Sequence, residues 1–148
     1  NAYLEHEQYS QARKICEEFV DQHPGIREGH FLLARIAMGE RNYVEAAEHF
    51  SRSLAIQPDD ALAHNRLGNA LWEERRLEES VVSYRKALDI QPQDPKTHHS
   101  MGIALLDLGK HKEGLQHKRL GAGVIEFTAD NQNGYRILGG TSERTPDD

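Results

Sequence analysis

The chain has 148 residues, 37% of them hydrophobic and 28% charged, and its 24 acids against 18 bases leave a net charge of -6. That length suits one domain with a buried core. The pattern excludes a membrane span of about 18 apolar residues, a visible signal peptide and the clustered Lys and Arg that nucleic-acid phosphates demand.

A single cysteine, Cys16, excludes an internal disulfide framework and a cysteine-based zinc site, and it fits a reducing, cytoplasmic compartment. The sequence opens on Asn1 and not on Met, so it reads as a fragment. Pro24, Pro58 and Pro92 are spaced by 34 residues. So are His30, His64 and His98; Leu33, Leu67 and Met101; and Tyr43, Leu77 and His111. A fixed period of this length marks a repeat architecture.

In chain order, the segment before Pro24 carries Tyr9, Ala12, Cys16 and Phe19 in the periodic frame, and the thiol is expected to be buried and structural. The clearest helices are 61–74, with Leu62, Leu67, Ala70 and Leu71 at helical spacing, and 78–90, with Val81, Val82, Tyr84, Ala87 and Leu88. Pro58-Asp59-Asp60 ends one helix and offers an N-cap for the next, and Gln91-Pro92-Gln93-Asp94 repeats the signal. Gly68 inside a helix implies close approach of a neighbour, since it costs up to about 1 kcal/mol against Ala. The third period decays, with Gly114 and Lys118 where a small residue and an aromatic belong, so 111–120 is expected as a short, poorly buried helix. After Gly121-Ala122-Gly123, the stretches Val124–Thr128 and Tyr135–Leu138 read as a hairpin around Asn133-Gly134, followed by a polar tail.

These residues resemble the tetratricopeptide repeat family, whose pattern is Trp-x2-Leu-Gly-x2-Tyr, then Ala-x3-Phe, then Pro. His64-x2-Leu67-Gly68-x2-Leu71, Ser80-x3-Tyr84 and Pro92 fit it, as do His30-x2-Leu33-Ala34-x2-Ala37, Ala46-x3-Phe50 and Pro58. The resemblance implies an all-α, right-handed solenoid of helix pairs with a short C-terminal β-hairpin or extended tail. Its units would be a partial repeat at 1–24, repeats at 25–58 and 59–92, a degenerate repeat at 93–120, and the tail at 121–148.

No catalytic constellation appears: there is no nucleophile elbow, phosphate loop or His-Glu-x-x-His. No enzymatic activity, cofactor or metal is expected of this chain. His30, His64 and His98 cannot share a metal, because equivalent positions on packed helices lie about 10 Å apart and zinc–nitrogen bonds are about 2 Å; they read as packing residues in place of the family's aromatic. Glu45 with His49 and Glu113 with His117, each spaced i, i+4, read as solvated surface pairs.

The resemblance places partner binding on the concave face lined by the first helix of each pair. That gives Glu28, Phe31, Arg35 and Met38; then Leu62, Asn65, Asn69 and Trp72; then Lys96, His99, Ile103 and Leu106. Asn65 and Asn69, one turn apart, are expected to hold a peptide backbone by paired donor and acceptor. Arg35 and Lys96 are expected to take acidic groups. Trp72 is the favoured anchor, since aromatics dominate binding hot spots; the rival reading packs it against Phe31 or Leu106. The subclass that grips a C-terminal carboxylate has a Lys and an Asn where Phe31 and Arg35 stand here, and only Lys96 matches it. The expected function is a scaffold binding a peptide or partner helix. The alternatives are a recruiting module of a larger enzyme and a homo-oligomer stacked through its repeat ends or tail.

Overall fold

The computed structural model describes residues 2–123 and the two short strands at 125–126 and 136–137. Seven helices follow in order: α1 (Ala2–Gln22), α2 (Arg27–Gly39), α3 (Tyr43–Ile56), α4 (Ala61–Glu73), α5 (Leu77–Ile90), α6 (Pro95–Asp107) and α7 (His111–Gly121). α2 packs on α3, α4 on α5 and α6 on α7, and successive pairs stack through α3 on α4 and α5 on α6. The result is an all-α solenoid in which each pair touches its neighbours. None of the described helices is long and apolar enough to cross a membrane.

The turns explain where the helices stop. Arg41, Arg75 and Gly109, spaced by the period, all take positive φ (60, 64 and 77°). Around each, two backbone bonds close the end of the first helix, as in Arg41 N–H to Met38 O and Asn42 N–H to Ala37 O. This is the Schellman arrangement. The first helix of each pair therefore ends on a locked left-handed residue. The junctions into α4 and α6 use side-chain caps: Asp60 accepts from the Ala63 N–H and Asp94 from the Thr97 N–H, with Pro95 opening α6 behind its cap, whereas Ile26 before α2 makes none. Asp94→Ala is expected to lower stability by about 1 kcal/mol, within a range of roughly 0.5–2, read as a shifted urea midpoint; an unchanged midpoint would remove the cap from the account.

The core runs as a strip between the pairs. Ala34, Ala37, Ala46, Ala47, Phe50, Ala70 and Leu71 form one buried cluster, and Val81, Tyr84, Met101, Ala104 and Leu105 form the next. Gly68 is required where expected: a Cβ there would lie 2.5 Å from the Tyr84 ring. In the last pair Lys118 replaces the aromatic, and the helices close up instead. A Cβ on Gly102 would meet the Gly114 carbonyl at 2.8 Å, and one on Gly121 would meet the His99 nitrogen at 2.7 Å. α7 is consequently held backbone against backbone and buries only Gly114 and Leu120.

Two expectations are corrected or limited here. Cys16 is half-buried and not enclosed; burial still pushes its thiol pKa up. α1 packs against α2 through Val20 and Phe19 at Gly29 and Tyr9 at Gly39, but nothing in the described chain covers its other side, where Ile15 is 67% exposed. Of the hairpin expected over 124–138, only Ile125–Glu126 and Arg136–Ile137 belong to the described residues, as an antiparallel pair; its turn, its flanking residues and the polar tail lie outside them.

Candidate functional site

The first helices α2, α4 and α6 lie side by side in the stack, and the recesses between them follow from that placement. A cavity of about 730 Å³ opens between α4 and α6, lined by Leu62, Asn65, Arg66 and Asn69 on one wall and Lys96, His99 and Ser100 on the other. A smaller one of about 230 Å³ continues it past Asn69 and Ser100 to Met38, Trp72, Glu73, Tyr84 and Ile103. Together they run along α4 from its N-terminal to its C-terminal end. The first end is cationic and polar, and the second is apolar and aromatic with an acidic edge.

Eight of the twelve residues expected at a binding surface are brought together here: Met38, Leu62, Asn65, Asn69, Trp72, Lys96, His99 and Ile103; Leu106 lies outside both recesses. Glu28, Phe31 and Arg35 lie on α2 outside both recesses. Glu28 pairs with Arg27 at 3.1 Å. Phe31 meets Phe50 edge-on at 5.5 Å and so belongs largely to the core. Arg35 is exposed.

The two asparagines are not an open clamp. Asn65 is buried and its amide donates to Thr97 Oγ1 at 2.8 Å, joining α4 to α6; the Thr97 hydroxyl in turn donates to Asp94. Asn69 Oδ1 accepts from the Tyr84 hydroxyl at 2.8 Å, which leaves its N–H2 end as the one able to face a ligand. Burial holds the Tyr84 hydroxyl pKa up at about 12, so it remains a neutral donor. Trp72 packs against the second core cluster, and its Nε1 donates to Asp107 at 2.8 Å. The ring edge is thereby fixed at the apolar end of the recess. Sequence reasoning missed Arg66, Glu73 and Ser100. The period places Ser100 at an equivalent of Arg66 and Glu73 at an equivalent of Gly39 and Asp107, so the signal was present in columns not counted as lining.

A third cavity, of about 550 Å³, lies among α3, α4 and α5 and is lined by Val44, Glu48, Arg52, Arg76, Glu79 and Val82 among others. Its charges neutralise one another around an apolar floor. It does not extend to a third pair.

His30, His64 and His98 are buried packing residues as expected, at 6, 9 and 5% exposure. His49 and His117 are not the solvated partners of Glu45 and Glu113 alone. His49 stacks on His30 with ring centroids 5.4 Å apart, and His117 on His98 at 5.0 Å. The expected solvated pairs are corrected: both rings turn inward, where the facing histidine offers a nitrogen, and of the two glutamates Glu45 stays within 3.8 Å of its histidine. Among the described residues no group of three or more His, Cys, Asp or Glu is placed to hold a metal ion.

Comparison with known proteins adds the following. A tetratricopeptide repeat model matches residues 1–61, and a second such model matches residues 75–109. Superkiller complex protein 3 of Mus musculus is 34% identical over 61 residues, 41% of this chain and 4% of that protein, so the chain spans a small fraction of its curated relative. Among solved structures, a crystal structure of MamA superposes with a TM-score of 0.75 at 18% identity, covering 82% of this chain and 71% of that one. MamA from Desulfovibrio magneticus RS-1 does so at 0.74 and 21%, covering 79% and 66%. A MamA double mutant labelled RS-1 gives 0.75 and 22%, covering 78% of this chain and 65% of that chain. At these identities the likeness is one of fold.

Proposed function

Because the chain belongs to the tetratricopeptide repeat family, we propose that it is a non-catalytic protein–protein interaction scaffold that takes a peptide or partner helix in the groove lined by α2, α4 and α6. The observation that carries this reading is the continuous recess along α4. It presents Lys96 and Arg66 at one end, the Asn69 amide at its centre, and Trp72, Met38 and Ile103 at the other. An extended ligand there would gain an apolar anchor at Trp72, a backbone hydrogen bond at Asn69 and an acidic contact at Lys96. The solenoid is read as right-handed, with repeats at 25–58, 59–92 and 93–120 and a partial repeat at 1–24, so that this groove is its concave side. A cytoplasmic location and a partner that is protein and not nucleic acid belong to the same proposal.

The test is affinity capture from lysate of the source cells by the native chain, by Trp72→Ala with Asn69→Ala, and by Val44→Ala with Val82→Ala on the opposite side. Circular dichroism confirms that each is folded. Trp72→Ala alone is expected to weaken a captured partner by about 2 kcal/mol or roughly 30-fold. Capture that survives the first pair and fails with the second would move the site to the α3–α5 side.

A second reading is favoured by α1, whose Ile15 is 67% exposed and covered by nothing in the described chain. It makes the chain a homo-oligomer stacked through that end. Sedimentation over a concentration series separates it from a monomeric scaffold.

A further inference from the structure

The two histidine pairs are related by the repeat: His30 and His98 are two periods apart, and so are His49 and His117. In the last pair the ring on the first helix is tied to the chain that leads into it: His98 Nε2 donates to the Pro92 carbonyl at 2.9 Å. A neutral imidazole that donates from Nε2 carries its lone pair on Nδ1. The Nδ1 atoms of His98 and His117 lie 2.7 Å apart, and those of His30 and His49 lie 3.2 Å apart. In the last pair His117 must therefore supply the proton, from its Nδ1–H to the lone pair of His98, while in the first pair one of the two facing nitrogens donates to the other. Each pair is a hydrogen bond between two neutral rings, across the seam that joins α2 to α3 or α6 to α7.

Acid attacks this arrangement in two steps. A first added proton goes to Nε2 of the donating ring and leaves the bond intact, but it charges a half-buried ring. A second proton, on the facing Nδ1, sets two N–H groups against each other. The charged groups nearby do not reverse this. Around His30 and His49 stand Arg52 and Glu45 on α3 and Arg13 on α1. Around His98 and His117 stand Asp94 before α6, Glu113 on α7 and Arg85 on α5. Glu45, Asp94 and Glu113 favour the proton, yet burial outweighs them and lowers all four pKa values, that of His117 to about 4 with the facing histidine as the second cause.

The two seams differ in what else holds them. α3 carries Ala46, Ala47 and Phe50 into the core, whereas α7 buries only Gly114 and Leu120. In the central pair the position equivalent to His49 and His117 is Ser83, whose hydroxyl donates to the Glu79 carbonyl of its own helix. We propose that the stacked histidines are proton-operated latches: acidification frees α7 from α6 first and weakens the α2–α3 seam, while the latch-free α4–α5 pair stays closed.

Folded-state pKa values below the unfolded value of about 6.5 mean that this stabilisation is complete above that pH and is lost as pH falls through it toward the folded values. The experiment compares the 148-residue chain with His117→Ser and His49→Ser, the residue used in the central pair. Urea unfolding, amide hydrogen exchange and NMR titration of the imidazoles are followed from pH 7.5 to 5.0. For His117 alone the unfolded-to-folded ratio is expected to rise on the order of 30-fold over this range. α7 amides should lose protection before those of α4 and α5, and His117→Ser should reduce that acid sensitivity to what the buried His98 alone contributes. Rings in the native chain that titrate near 6.5, or α7 protection that falls equally in His117→Ser, would overturn the proposal. If a serine variant does not fold at pH 7.5, the ring titration of the native chain decides it.

Discussion

Tyr84→Ala is expected to lower stability by about 3–5 kcal/mol, the scale of aromatic deletions from a packed core. Tyr84 is 2% exposed and lies on α5 between Gly68 of α4 and the Val81, Met101, Ala104 and Leu105 cluster shared with α6. Its removal opens a cavity at the joint between two helix pairs. It also removes the hydrogen bond that orients the Asn69 amide. Tyr84→Phe separates the two effects, since it keeps the packing and should lose only about 1 kcal/mol for the hydrogen bond. Urea titrations of the three proteins check this. A Tyr84→Ala midpoint close to that of Tyr84→Phe would show that the ring is not the keystone of the second cluster.

The second prediction concerns a substitution that ordinarily helps. Gly→Ala inside a helix gains up to about 1 kcal/mol of propensity. At Gly102 it should do the opposite and destabilise by about 1–3 kcal/mol. The added methyl would meet the Gly114 carbonyl oxygen at 2.8 Å and the Lys118 nitrogen at 2.9 Å, and backbone atoms cannot swing aside. α7 must move off α6 to admit it. Limited proteolysis and hydrogen exchange should report the loss at α7 while α2–α5 keep their protection. An unchanged or more stable Gly102→Ala protein would mean that the α6–α7 contact is looser than the glycines indicate.

These two positions also show what the sequence could and could not disclose. The period located every helix from α2 to α7, because Pro24, Pro58 and Pro92 and the capping aspartates act locally. Gly68 and Tyr84 were legible as a small–large pair because both fall in strongly patterned columns. The last pair was legible only as decay: replacing an aromatic with Lys118 reads as loss, whereas the backbone answers by drawing closer, which no side-chain pattern records. The recess was foreseen at Met38, Asn69, Trp72, Lys96 and His99. Asn65 lines it too, but its amide is not open to a peptide, because Thr97, the partner that claims it, sits on the next repeat. The histidine pairs escaped for a related reason. Each joins residues 19 apart across a turn, so spacing along one helix could show only the pairing with Glu45 and Glu113. Cys16 shares the periodic frame with Phe19, but no described helix lies against α1 on its other side to complete the burial.

The locked left-handed turns at Arg41, Arg75 and Gly109 have a mechanical consequence. They fix the turn inside each helix pair, which leaves the joints at 57–60 and 91–94 as places where one pair can rotate against the next. A rotation of ~5° at one joint, levered along a 13-residue helix of about 20 Å, displaces its far end by about 2 Å. That is enough to widen or narrow a recess whose walls come from different helix pairs. A ligand spanning α4 and α6 would then bear on a joint it need not touch.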